Sequence, residues 1–74
     1  MKTPTISGKK LIKFLNKQGF EVVSVKGSHV RLKKKMLAKT LVTVIPLHKS
    51  LAIGTLLAIL RQCEIEKEEL EKFI

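Results

Sequence analysis

Gly27 stands between two runs of strand-forming residues, and no other stretch limits the possible folds so strongly. Phe20 to Val25 is rich in valine and reads as a strand. Lys26-Gly27-Ser28 reads as the turn, with Gly27 supplying permissive backbone angles. A second strand then runs from about His29 to Lys34. Its alternation assigns the faces. Val30 and Leu32 point toward a core, and His29, Arg31 and Lys33 point to solvent. An imidazole and two cations thus share one face at two-residue spacing. After a loop near Met36 to Lys39, Leu41 to Ile45 forms a β-branched third strand, closed by Pro46, which cannot continue a ladder. The connections are too short for parallel crossovers, so the three strands form an antiparallel meander.

Helical periodicity brackets this meander. Met1 to Ile6, with Pro4, reads as a short arm, and Ser7 is an N-cap residue. Leu11, Ile12 and Leu15 then recur at helical spacing up to a stop at Gly19, giving a first helix of about Ser7 to Gln18. After a loop from Leu47 to Ala52, a second helix covers about Ile53 to Gln62, with Leu56, Leu57, Ile59 and Leu60 on its apolar side. Gly54 fits either a close backbone approach or simply the first turn of this helix. Ile65 to Ile74 is a short acidic helix with Ile65, Leu70, Phe73 and Ile74 as its apolar side. The predicted fold is α+β, with helix, three antiparallel strands, helix and a short C-terminal helix. That is the pattern of double-stranded-RNA-binding domains. Each helix has one apolar stripe, so both should cover one sheet face and leave His29, Arg31 and Lys33 on the other. At 74 residues the chain reads as a single domain, residues 1–74, with one modest core.

Charge points to the partner. The formal net charge is +9, and residues 1–61 hold thirteen Lys/Arg with Glu21 as their one acid. Residues 62–74 carry five Glu and two Lys. The basic block favours a polyanion, because each cation that pairs with a phosphate releases a condensed counterion. Lys9, Lys13 and Lys17 recur in steps of four along the first helix, a stripe about 12 Å long that can follow several phosphates. No acid lies between Gly8 and Phe20 to pair them, although an ordinary solvated helix face would read the same way. Cys63 is the one cysteine, which fits a reducing cytoplasm. The N-terminus shows no apolar core of a signal peptide. The longest apolar run, Leu51 to Leu60, is shorter than the roughly 20 residues that span a bilayer, so no membrane role is predicted.

An RNA-cutting chemistry fits these residues. RNA carries its own nucleophile, the 2′-hydroxyl, and needs a base, cations on the phosphorus and a proton donor for the leaving 5′ oxygen. Histidine suits the base role, since its ordinary pKa is about 6.5. His29 is therefore the candidate catalytic residue, with Lys26, Arg31 and Lys33 as phosphate contacts and Ser28 as a weaker one. The bland alternative for His29 is an exposed strand histidine with no role. His48 is either the acid, a further contact, or a loop group that caps the second helix or bonds backbone. Two isolated histidines and one cysteine lack zinc spacing, and no aspartate is present for a serine triad. No glycine loop of the nucleotide-binding type occurs, so neither cofactor nor metal is expected.

Read in order, the residues resemble a known family, the HicA (YcfA-like) mRNA interferase toxins. The resemblance lies in Ser7-Gly8 with Leu11, Ile12 and Leu15, Gly19-Phe20, and Lys26-Gly27-Ser28-His29. It continues in Val42 to Val44 with Pro46 and His48, and in Gly54-Thr55-Leu56 with Ile59-Leu60. It implies a double-stranded-RNA-binding-like fold, metal-independent cleavage of mRNA, an essential histidine at His29, and a cognate HicB antitoxin that masks the active face. Many relatives carry a second histidine after the motif one, where this chain has Val30. Glu66 stands where a Ser or Thr cap is usual, so the last helix should fray.

Two rival functions share these features. One is a non-catalytic RNA-binding module of the same fold. The other is a basic protein whose ligand is a protein or membrane surface, for which interfacial Trp and Tyr anchors are missing.

Overall fold

A computed structural model describes residues 6–74. The element order is α1 (Gly8–Lys17), β1 (Glu21–Lys26), β2 (His29–Lys35), β3 (Thr40–Pro46), α2 (Ile53–Gln62) and α3 (Lys67–Phe73). The α+β layout is the one expected. The predicted arm lies outside the described residues except for Ile6, which is buried and accepts from Leu51 N–H at 2.8 Å. That residue is core rather than arm.

Ser7 caps α1, its hydroxyl accepting from Lys10 N–H at 3.1 Å. Leu11, Phe14 and Leu15 form the buried stripe, while Ile12 is only partly covered. The helix ends on Gly19 at φ 97°, and Phe20 N–H reaches back to Leu15 C=O at 2.9 Å. Phe20 is thereby turned inward as the residue before β1.

The sheet order is β1-β2-β3, antiparallel throughout. Lys26 pairs with His29 across a two-residue turn. Gly27 sits at φ 62° there and Ser28 does not share that region, the pattern in which glycine takes the first turn position. Between β2 and β3 the register runs from His29 opposite Pro46 to Lys35 opposite Thr40. A bulge at Val23 interrupts β1, so Val22 faces Leu32 while Ser24 faces Arg31.

Leu11, Phe14 and Leu15 meet Val30, Leu32 and Ile45 of the sheet and Leu56, Ile59 and Leu60 of α2 in one core. Both α1 and α2 lie chiefly against β3. Helical cover is therefore less complete than expected. Every residue of β1 is exposed, including Val22 at 45% and Val25 at 62%. Leu57 and Ile74, assigned to apolar faces from periodicity, are also exposed. α3 docks through fully buried Leu70 and through Phe73, whose ring lies 5.3 Å from that of Phe14. As the Glu66 departure suggested, α3 starts without a side-chain cap.

Candidate nucleic-acid interface

The period of the β-strand decides which β2 side chains reach solvent. Val30 and Leu32 are buried, and His29, Arg31, Lys33 and Lys35 stand exposed on the opposite face. Both helices join the core on the Val30 and Leu32 side, and α2 borders the open face along its β3 edge, where Arg31, Val42 and Val44 share a hollow with Thr55, Ala58 and Gln62. Cross-strand pairing then supplies the neighbours. Lys26 and Ser24 flank His29 and Arg31 on the β1 side, and Pro46 and Val44 flank them on the β3 side. Ser24, Lys26, His29, Arg31 and Val44 together line an open hollow of about 310 Å³.

Ser24 was not singled out from the sequence, although the signal is there. Counting back across the two-residue turn from the Lys26–His29 pair places Ser24 opposite Arg31. Lys33 shares the exposed face but lies outside this hollow, opposite Glu21 and Val42. Ser28 is exposed in the turn, and its carbonyl accepts from Leu47 N–H at 2.7 Å. That bond fastens the turn to the segment leaving β3 and steadies the residue before His29.

The other predicted site residues gather elsewhere. His48 lines a second hollow with Ser7, Lys9, Leu47 and Lys49, about 340 Å³ in volume. Ser7 and Lys9 also border a third, with Lys10, Lys13 and Phe73. His48 does not cap α2, whose first residue follows Ala52 without any side-chain cap. Its carbonyl instead accepts from Gly8 N–H at 2.9 Å. Lys17 lies farther along α1, with its ammonium 5.4 Å from the Phe73 ring centre. The structure therefore divides the predicted residues into a sheet group around His29 and a helix group around Lys9.

The close approach that the sequence offered for Gly54 belongs to Gly8. A Cβ on Gly8 would sit 2.1 Å from the Pro46 carbonyl oxygen, whereas one on Gly54 would meet nothing within 4 Å. The missing side chain lets the start of α1 press against the Pro46–His48 segment. The sheet and helix groups are joined at that seam.

Among the described residues no helix is long and apolar enough to cross a membrane. Comparison with curated proteins and with solved structures gives no match. A family model described as HicA toxin of bacterial toxin-antitoxin matches residues 8–65, from the start of α1 to just past α2, and leaves α3 outside. Together with the α-β-β-β-α order within that span, this match shows that the chain belongs to the HicA toxin family of bacterial toxin–antitoxin systems.

Proposed function

We propose that this toxin is an endoribonuclease that cuts mRNA across the open face of its sheet, with His29 as the base. One observation supports it above the rest. In a chain of this toxin family, an exposed imidazole shares a hollow with Lys26, Arg31 and Ser24, on the sheet face turned away from the core. A shallow, open site suits a polymer that must lie across it.

In this reading His29 takes the proton of the 2′-hydroxyl as O2′ attacks the adjacent phosphorus. The bond from phosphorus to O5′ breaks, leaving a 2′,3′-cyclic phosphate and a 5′-hydroxyl. The departing O5′ needs a proton, which so exposed a face lets water supply. Lys26 and Arg31 offset the charge that builds on the non-bridging oxygens, an effect that typically contributes about 10²–10³ in rate per donor. No step calls for a metal ion. A HicB-type antitoxin would silence the enzyme by covering this same face, and the cytoplasm, where mRNA is translated, is its expected place of action.

The test is incubation of labelled mRNA with purified toxin in excess EDTA. Cyclic-phosphate-ended fragments are expected from the native chain and none from His29→Ala, with both melting within a few degrees of each other. RNA that is retarded on a gel but left whole by the native chain would favour a non-catalytic binding module. Continued cutting by folded His29→Ala would remove His29 from the mechanism.

A further inference from the structure

We infer that Lys9, His48 and Lys49 form a second RNA-phosphate subsite, separate from the cleavage hollow, in which His48 binds the strand and takes no part in proton transfer. The inference rests on the RNA-cutting reading above and says where the substrate runs beyond the scissile bond.

The first argument is separation. His29 and His48 line different hollows, and among the described residues the hollow of His48 shares Ser7 and Lys9 with its neighbour on the helix layer and nothing with that of His29. Pro46 is the cross-strand partner of His29, and His48 lies two residues beyond it. Cross-strand Cα atoms are about 5 Å apart and two extended residues reach at most about 7 Å. The backbone of His48 is thus within roughly 12 Å of that of His29, close enough to serve the same strand.

The second argument is charge. Lys9, His48 and Lys49 line the hollow with Ser7 and Leu47, and no acid does. The adjoining hollow adds Lys10 and Lys13, again without an acid. This arrangement is fixed by backbone contacts. Gly8 N–H donates to His48 C=O, and the bare Gly8 Cα admits the Pro46 carbonyl. The cations of the loop are therefore held beside those of α1. The amides of Gly8 and Lys10 are already engaged, by His48 C=O and Ser7 Oγ.

The third argument separates RNA from an acidic protein. Protein anchors centre on buried aromatic or aliphatic pockets. Among the described residues this hollow offers one apolar side chain, Leu47, half-exposed at 43%. Lys9 and Lys49, with no acid among the lining residues, suit the repeating negative charge of a nucleic-acid backbone.

The test measures binding and turnover separately. Binding is read by anisotropy with a labelled 2′-O-methyl RNA, which lacks the nucleophile and stays intact. Lys9→Ala with Lys49→Ala should weaken binding at least tenfold. It should also flatten the slope of log affinity against log salt by about 1.4, the release expected for two single-strand phosphate contacts. Lys67→Ala with Lys72→Ala, the same charge change on α3, should leave the slope alone. On cleavable RNA, His48→Gln should raise KM severalfold with kcat within threefold. A fall in kcat of about 10²-fold at saturating RNA would instead make His48 a proton donor and overturn the inference. An unchanged salt slope in the double lysine variant would overturn it too, as would a defect confined to antitoxin binding. A native chain that binds RNA but never cuts it would sink the cleavage reading alone, since the anisotropy slope still decides the subsite.

Discussion

At the scale of single residues, Gly8 has the tightest constraint. Its hydrogen occupies space beside the Pro46 carbonyl that a methyl group would enter at 2.1 Å. Overpacking of this kind costs about 1–3 kcal/mol. Gly8→Ala should lower the melting temperature by roughly 4–8 °C for each kcal/mol lost, read by circular dichroism. An unchanged melt would mean that the Pro46–His48 segment yields freely. Cys63 gives a second prediction. Burial pushes its thiol from 9.0 up to about 11, partly offset by the Thr43 hydroxyl and the charge of Lys34. Between those values the unfolded chain has lost the proton and the folded chain keeps it, so stability falls as pH rises. Nothing is lost below pH 9, and the loss amounts to roughly 2–3 kcal/mol once pH passes the folded value. Urea melts between pH 9 and 11 should lose stability more steeply for the native chain than for Cys63→Ala; parallel curves would contradict this.

At the scale of elements, α1 and α2 end in the same way with different residues. Both last turns close with a bond from the second residue past the cap to the carbonyl five positions back, Phe20 to Leu15 and Ile65 to Leu60. α1 places Gly19 in the left-handed position, while α2 places Glu64 there at φ 56°. A side chain in that region costs roughly 1–2 kcal/mol. The exposed ion pair of Glu64 with Lys39 returns at most about 1 kcal/mol. Glu64→Gly should therefore be neutral to stabilising, by up to about 1 kcal/mol in a denaturant melt. The strands differ as sharply. Val25 and Val30 are paired neighbours on one face, yet Val25 is 62% exposed and Val30 only 5%. Val30→Ala should cost about 1–3 kcal/mol and Val25→Ala well under 1. Equal losses would mean that β1 is covered in solution. Sequence alternation assigned Val30 to the core face; strand pairing puts Val25 on that same face, and the offset of the helix layer toward β3 separates their burial.

At the scale of the whole molecule, the fold sorts side chains by layer. The sheet gives one open face to His29, Arg31 and Lys33, and the helix layer carries Lys9, Lys10 and Lys13. Beyond the shared core, the two are tied together at the end where β3 leaves the sheet, through the contacts of Ser28 with Leu47 and of Gly8 with His48. An RNA that follows Lys9, Lys49, Lys26, Arg31 and Lys33 would make about five phosphate contacts. Raising salt fourfold should then reduce kcat/KM by about 100-fold. Insensitivity to salt would argue against any phosphate track. α3 lies outside the family span and docks by Leu70 and Phe73, with its glutamates outward.

The element order, the hairpin about Gly27 and the exposure of His29 were legible in the residues alone, because each depends on local propensity and on a two-residue or 3.6-residue period. So was the basic balance of residues 1–61, since charge needs no fold to be counted. Tertiary structure decided the rest. Pairing register brought Ser24 to His29, a helix–loop contact made Gly8 the close approach in place of Gly54, and the path out of β3 set His48 beside Lys9 and away from His29. Those placements depend on which segments touch across the core, and spacing along a chain does not encode the distance between two of its folded layers.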